Sequence, residues 1–134
     1  MTDTMESELT VDENADDAAW ETVCELSRIT PERGVAAIVD GHPVAIFRFD
    51  TDDGTQLYAV DHLDPRTGSP TMAHGLVGSS GDVPTVAAPL LKEKYSLVTG
   101  ECLTNPDFRL DVFDVRLHDG QVQLRLNVTS GKQA

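Results

Sequence analysis

The sequence predicts an all-β fold, an antiparallel sandwich or open barrel, and three observations predict it. Asp-Gly pairs follow or separate apolar runs at 40–41, 53–54 and 119–120. Val122, Leu124 and Leu126 alternate with Gln123 and Arg125, the two-residue period of a strand with one buried face. Helix signals are confined to Thr30-Pro31-Glu32-Arg33, a Ser/Thr-type cap with proline at the first helical position, enough for one turn.

The elements follow in chain order. Residues 1–19 carry seven acids and no base, with scattered apolar residues and no stripe, and are expected to form a disordered acidic tail. A folded domain is expected over 20–127, followed by a flexible tail at 128–134. Cys24 ends an early strand. Val35 to Val39, Val44 to Phe47 and Leu57 to Val60 read as a three-strand meander, because both central residues of a type I′ turn need positive φ and Asp-Gly supplies them. Residues 61–82 hold Pro65, Gly68, Pro70, Gly75, Gly78 and Gly81 and read as a long functional or mobile loop. A second hairpin closes the chain, with arms 108–117 and 122–126. In its first arm the apolar period restarts at Val112-Phe113, which predicts a β-bulge there.

Composition narrows the function. The chain has 134 residues, enough for one domain. Its formal charge of −13 repels phosphate backbones and excludes duplex nucleic acid as a natural partner. The longest uncharged apolar run, Val83 to Leu91, contains two prolines and falls far short of the roughly 20 residues of a membrane helix. With two cysteines and no secretory signal, both thiols are expected free in a reducing cytoplasm. His42, His62, His74 and His118 show no metal-ligand spacing with one another or with Cys24 and Cys102. His42 and His118 read as turn residues, Cys24 as a small buried hydrophobe, and Cys102 as a thiol without a paired base. No nucleophile elbow, phosphate loop or dinucleotide fingerprint is present. The residues alone define an acidic all-β domain and no catalytic centre.

Two segments add more. Ala88-Pro89-Leu90-Leu91-Lys92-Glu93-Lys94-Tyr95-Ser96-Leu97-Val98-Thr99-Gly100 resembles the second cluster-binding loop of Rieske-type ferredoxins, with Pro89, Tyr95 and Thr99-Gly100 keeping the frame. Tyr58 to Arg66 resembles the first loop. The resemblance implies a Rieske-like sandwich whose interval between the loops is extended by Val77 to Val83. On this frame the thiolate positions fall on Asp64 and Ala88, the imidazole positions on Arg66 and Leu91, and Lys92 replaces the glycine after the second histidine. Alanine and leucine have no donor atom and arginine stays protonated, so no iron–sulfur centre is expected. A Rieske frame without its ligands, opening near Trp20 to Cys24 and carrying Val44-Ala45-Ile46-Phe47-Arg48 and Ala-Pro-Leu-Leu-Lys, resembles the small subunits of assimilatory NADH-dependent nitrite reductases. That resemblance implies a non-catalytic partner of a large subunit that carries FAD, an iron–sulfur cluster and sirohaem and reduces nitrite to ammonium. It implies no cofactor and no catalytic residue in this chain. Arg66, Lys92 and Lys94 are the expected docking residues. The alternatives are a cluster-free adaptor, a subunit of another redox enzyme, and, against its missing ligands, a Rieske electron carrier.

Overall fold

The computed structural model describes residues 20–90 and 92–128. The tails expected at 1–19 and 128–134 fall outside the described residues except for Val128, as does Leu91. Nine strands, β1 (Glu21–Glu25), β2 (Arg33–Val39), β3 (His42–Thr51), β4 (Gly54–Asp61), β5 (Leu76–Ser80), β6 (Val83–Ala87), β7 (Lys94–Ser96), β8 (Val112–His118) and β9 (Gln121–Val128), are joined by turns and two single-turn 3-10 helices, Leu26–Arg28 and Met72–His74. Every pairing is antiparallel. Six strands form one sheet in the order β1-β9-β8-β4-β3-β2, and three form a smaller one in the order β5-β6-β7.

The meander is as expected. Asp40 and Gly41 have φ of 51° and 79°, and Asp119 and Gly120 have 54° and 77°, so both hairpins turn through two left-handed residues. At the third hairpin the turn lies one residue earlier than the Asp-Gly pair. Thr51 pairs with Gly54, the turn residues are Asp52 and Asp53, and of the expected pair Gly54 alone has positive φ.

Three expectations need correction. Thr30 to Arg33 form no helical turn. The Arg33 amide donates to the Thr30 carbonyl and Glu32 sits at φ 63°, a tight turn that ends any helix, while the 3-10 turn lies upstream at Leu26–Arg28. Residues 61–82 are not one loop, because Leu76–Ser80 pairs with Val83–Ala87 across a Gly81-Asp82 turn. The restart at Val112-Phe113 has a different main cause. Val112 belongs to one buried cluster and Phe113 to the other, so adjacent residues face opposite cores. The register irregularity falls one step later, between Phe113 and Asp114, with the extra residues on β9.

The two cores explain the placement of everything else. Ala45, Phe47, Val60 and Val112 face a cluster shared with Met72, Val86, Tyr95, Leu97 and Leu110 under the small sheet. Val44, Ile46, Ala59 and Phe113 face a second cluster with Ile29, Val122 and Leu124, inside the curl of the large sheet. β3 is therefore covered on both faces, and all of Val44 to Phe47 is buried. The small sheet and the segments around it form a tip on one face of the larger sheet.

Candidate functional site

Three segments build the tip. The first, between β4 and Met72, is closed by its own backbone. The Asp64 amide donates to the Ser69 carbonyl at 2.8 Å, the Gly68 amide to the Asp64 carbonyl at 2.7 Å, and Asp64 Oδ1 accepts from the Arg66 amide at 2.8 Å. That last bond is the local turn aspartate favours. The second segment joins β6 to β7. The Ala88 amide donates to the Glu93 carbonyl and the Lys92 amide to the Ala88 carbonyl, both at 2.8 Å. Lys92 has φ of 62°. It holds the left-handed conformation that glycine adopts freely, at a cost of about 1 kcal/mol for a residue with a Cβ. The third segment turns on Ser96, whose Oγ accepts from the Val98 and Thr99 amides at 3.1 Å, and on Gly100, at φ 83°.

An ion pair joins the first two segments. Arg66 Nη1 donates to Glu93 Oε2 at 2.5 Å, and the same guanidinium lies over the Phe108 ring, 5.0 Å from its centre. The other Glu93 oxygen accepts from the Thr104 hydroxyl and, at 3.8 Å, from the Cys102 thiol. The Thr104 hydroxyl first, and then Arg66, hold the Glu93 carboxyl below the usual carboxylate range. A depressed carboxylate pKa stabilises the fold above its unfolded value and ceases to do so as pH falls through the folded one. Amides of 64–68 and 88–93 should thus exchange faster, relative to intrinsic rates, once the pH drops below that folded value than at pH above about 5. An unchanged protection ratio across that range would contradict the pairing.

Among the described residues two buried side-chain oxygens have no hydrogen-bond partner, Asp64 Oδ2 and Tyr95 Oη. Asp64 is 1% exposed and Tyr95 is fully buried. Burial first, then Cys102, Asp64 and Glu93, push the Tyr95 hydroxyl far above its ordinary range, so it stays neutral. Removing an unpaired buried hydroxyl relieves a desolvation penalty, so Tyr95→Phe should stabilise the chain by about 1 kcal/mol in urea melts. A loss of similar size would show that the hydroxyl has a partner in solution.

Of the four positions that the resemblance assigns to ligands, Asp64, Arg66 and Ala88 lie in the first two segments of this tip. Asp64 is buried, Arg66 is committed to Glu93, and Ala88 is 1% exposed with no donor atom. Leu91 lies outside the described residues. One carboxylate, one guanidinium and one methyl group do not fit a [2Fe-2S] cluster held by thiolates and imidazoles. Among the described residues no group of three or more His, Cys, Asp and Glu side chains is arranged to hold a metal.

His62 and His74 approach ring to ring at 6.0 Å, but His62 Nδ1 accepts from the Ala73 amide at 3.1 Å, which leaves the proton on Nε2. Burial first, then His74, lower the His62 pKa and favour that neutral ring. His42 is bonded to Asp61 at 3.1 Å and His118 lies 3.6 Å from Asp119 in its hairpin turn. Cys24 is half-buried and Cys102 buried, and both are free thiols. Glu93, Thr104 and Phe108 are the tip residues sequence reasoning missed as a unit. Among the expected docking residues, Arg66 is largely spent on Glu93, whereas Lys92 and Lys94 remain exposed; the exposed Leu90 lies two residues before Lys92, and the exposed Leu103 is hydrogen-bonded through its amide to the Lys94 carbonyl.

A small antiparallel sheet carrying a three-segment tip on a six-stranded antiparallel sheet defines a Rieske-like domain, here with two of the tip segments joined by an ion pair. The family described as Rieske-like [2Fe-2S] domain matches residues 19–125. The nitrite reductase (NADH) small subunit of Salmonella typhimurium is 35% identical over 106 residues, covering 79% of this chain and 96% of that one. The solution structure of NirD from Escherichia coli superposes with a TM-score of 0.70 at 34% identity, covering 79% of this chain and 94% of the other. The nitrite reductase [NAD(P)H] large subunit of Klebsiella oxytoca contains a 30% identical segment that covers 77% of this chain and 10% of that protein. The chain belongs to the Rieske-like family of NADH nitrite reductase small subunits.

Proposed function

We propose that this chain is the small subunit of an NADH-dependent nitrite reductase, in the cytoplasm, and that it docks on a large subunit holding FAD, an iron–sulfur cluster and sirohaem. It contributes no cofactor and no catalytic residue, and electron transfer belongs to the partner. The observation that supports this reading is the tip itself, where the loops that would grip a cluster are tied by Arg66 and Glu93. The segment found inside the Klebsiella oxytoca large subunit adds to it, because one polypeptide there carries a domain of this kind together with the rest of a large subunit.

Docking runs through the tip. Lys92 and Lys94 are exposed bases in an acidic chain; the half-exposed Leu90 lies two residues before Lys92, and the amide of the half-exposed Leu103 donates to the Lys94 carbonyl at 2.7 Å. Apolar centre and charged rim is the usual anatomy of a specific interface. Co-expression with the large subunit encoded in the same genome should yield a complex that reduces nitrite with NADH. Lys92→Glu with Lys94→Glu should weaken that complex by about tenfold at low salt, and less at high salt, where rim charges are screened. Affinity unchanged by the double reversal would move the interface elsewhere. Failure of any complex to form would overturn the subunit assignment.

A further inference from the structure

A groove of about 560 Å³ lies away from the tip, between the start of β2 and the start of β5. Both are edge strands, β2 of the large sheet and β5 of the small one. Arg28, Arg33 and His74 line it against a single acid, Glu32, and the backbone of Gly34 and Gly75 forms part of its wall. The two arginines are exposed and have no carboxylate partner among the described residues. Arg109, Lys92 and Lys94 likewise have no carboxylate partner among the described residues, but they do not line this groove. Arg48 is paired with Asp50, Arg66 with Glu93 and Arg125 with Asp114.

We propose that this groove is the seat of the chain's own acidic amino-terminal segment, 1–19. Charge complementarity is the first support. The segment carries Asp3, Glu6, Glu8, Asp12, Glu13, Asp16 and Asp17 and no base, and Arg28 and Arg33 are arginines suited to carboxylates in forked geometry. Reach is the second. The segment is anchored at Trp20, and β1 with its following 3-10 turn separates that anchor from Arg28. A five-residue strand spans about 17 Å, while a free chain of 19 residues has an r.m.s. span of roughly 24 Å. Tethering supplies the third, since a segment on so short a linker meets the groove at an effective concentration in the millimolar range. Exposed ion pairs, weak singly, suffice under that condition. The two open strand edges suit an extended occupant, which can add backbone hydrogen bonds to its side-chain contacts.

The test uses the full chain and amide resonances in solution. The comparison is between the native chain and a full-length variant with Asp3→Asn, Glu6→Gln, Glu8→Gln and Asp12→Asn, the acids far enough from Trp20 to span the strand. Signals of Arg28, Arg33, Gly34, Gly75 and Leu76 should move, those of Gly54 and Gly81 should not, and the difference should vanish at about 1 M salt, where the Debye length is ~3 Å. Arg28→Glu with Arg33→Glu should move the signals of residues 3–12 in turn; both arginines are exposed, so the fold tolerates the change. Groove signals that ignore the neutralised segment would overturn the proposal. So would groove signals that respond only when the large subunit is added, which would make the groove a seat for an external partner. Neither outcome depends on whether the tip docks as proposed above.

Discussion

Replacing Gly100 with alanine should cost more than about 3 kcal/mol and lower the melting temperature by roughly 10–20 °C. A Cβ at Gly100 would stand 1.9 Å from the Leu110 carbonyl oxygen and 3.1 Å from Val112 Cγ2. Neither neighbour can withdraw. The Leu110 amide donates to the Gly100 carbonyl at 2.8 Å, and Leu110 itself is 1% exposed in the core beneath the tip. The φ of 83° adds strain of its own. Gly120 is the matched control, because its φ is 77° but nothing lies within 4 Å of the added carbon. Gly120→Ala should show the conformational part alone, about 1 kcal/mol. Calorimetry of the two variants separates close approach from backbone preference. Equal losses would mean that the contact with Leu110 relaxes in solution.

Phe47→Ala should be comparably severe, at about 3–5 kcal/mol by urea unfolding. Phe47 is fully buried in the cluster that supports the tip. Its ring occupies the space left open at Gly34 on the neighbouring strand, where a Cβ would come within 2.6 Å of Phe47 Cε1. The cavity has no easy filler. Gly34→Ala does not supply one, since the same Cβ would also stand 2.6 Å from the Ala73 carbonyl oxygen. The double variant should therefore be no more stable than Phe47→Ala alone. Recovery on adding Gly34→Ala would show that the helical turn carrying Ala73 shifts freely against β2.

Much of the large sheet was legible because its signals are local. Asp40-Gly41 and Asp119-Gly120 announce turns that only such residues take easily, and the alternation of Val122 to Leu126 reports a strand with one wet face. β5 was hidden for a physical reason. It is an edge strand, largely exposed along its length, with Gly78, Ser79 and Ser80 in place of apolar residues, so no period marks it. The double core was hidden because a run such as Val112-Phe113 looks the same whether a strand bulges or is covered on both sides. At the tip, the family frame was readable from Pro89, Tyr95 and Thr99-Gly100. The Arg66–Glu93 pair was not. Its members are 27 residues apart, and 23 acids offer too many partners for one arginine to be matched by inspection.

That pair also decides what the tip's assembly waits for. Loops gripping a cluster are finished only when metal and sulfide arrive, and they come apart when oxidants or chelators take the metal away. Loops tied by a guanidinium and a carboxylate are finished when the backbone is, from atoms already in the chain. A guanidinium–carboxylate pair holds no iron for scarcity or a chelator to remove. Ionic strength and protons are the agents that loosen this tip, both acting at once and reversibly, so its order follows the composition of the surrounding solution and not the supply line of a cofactor.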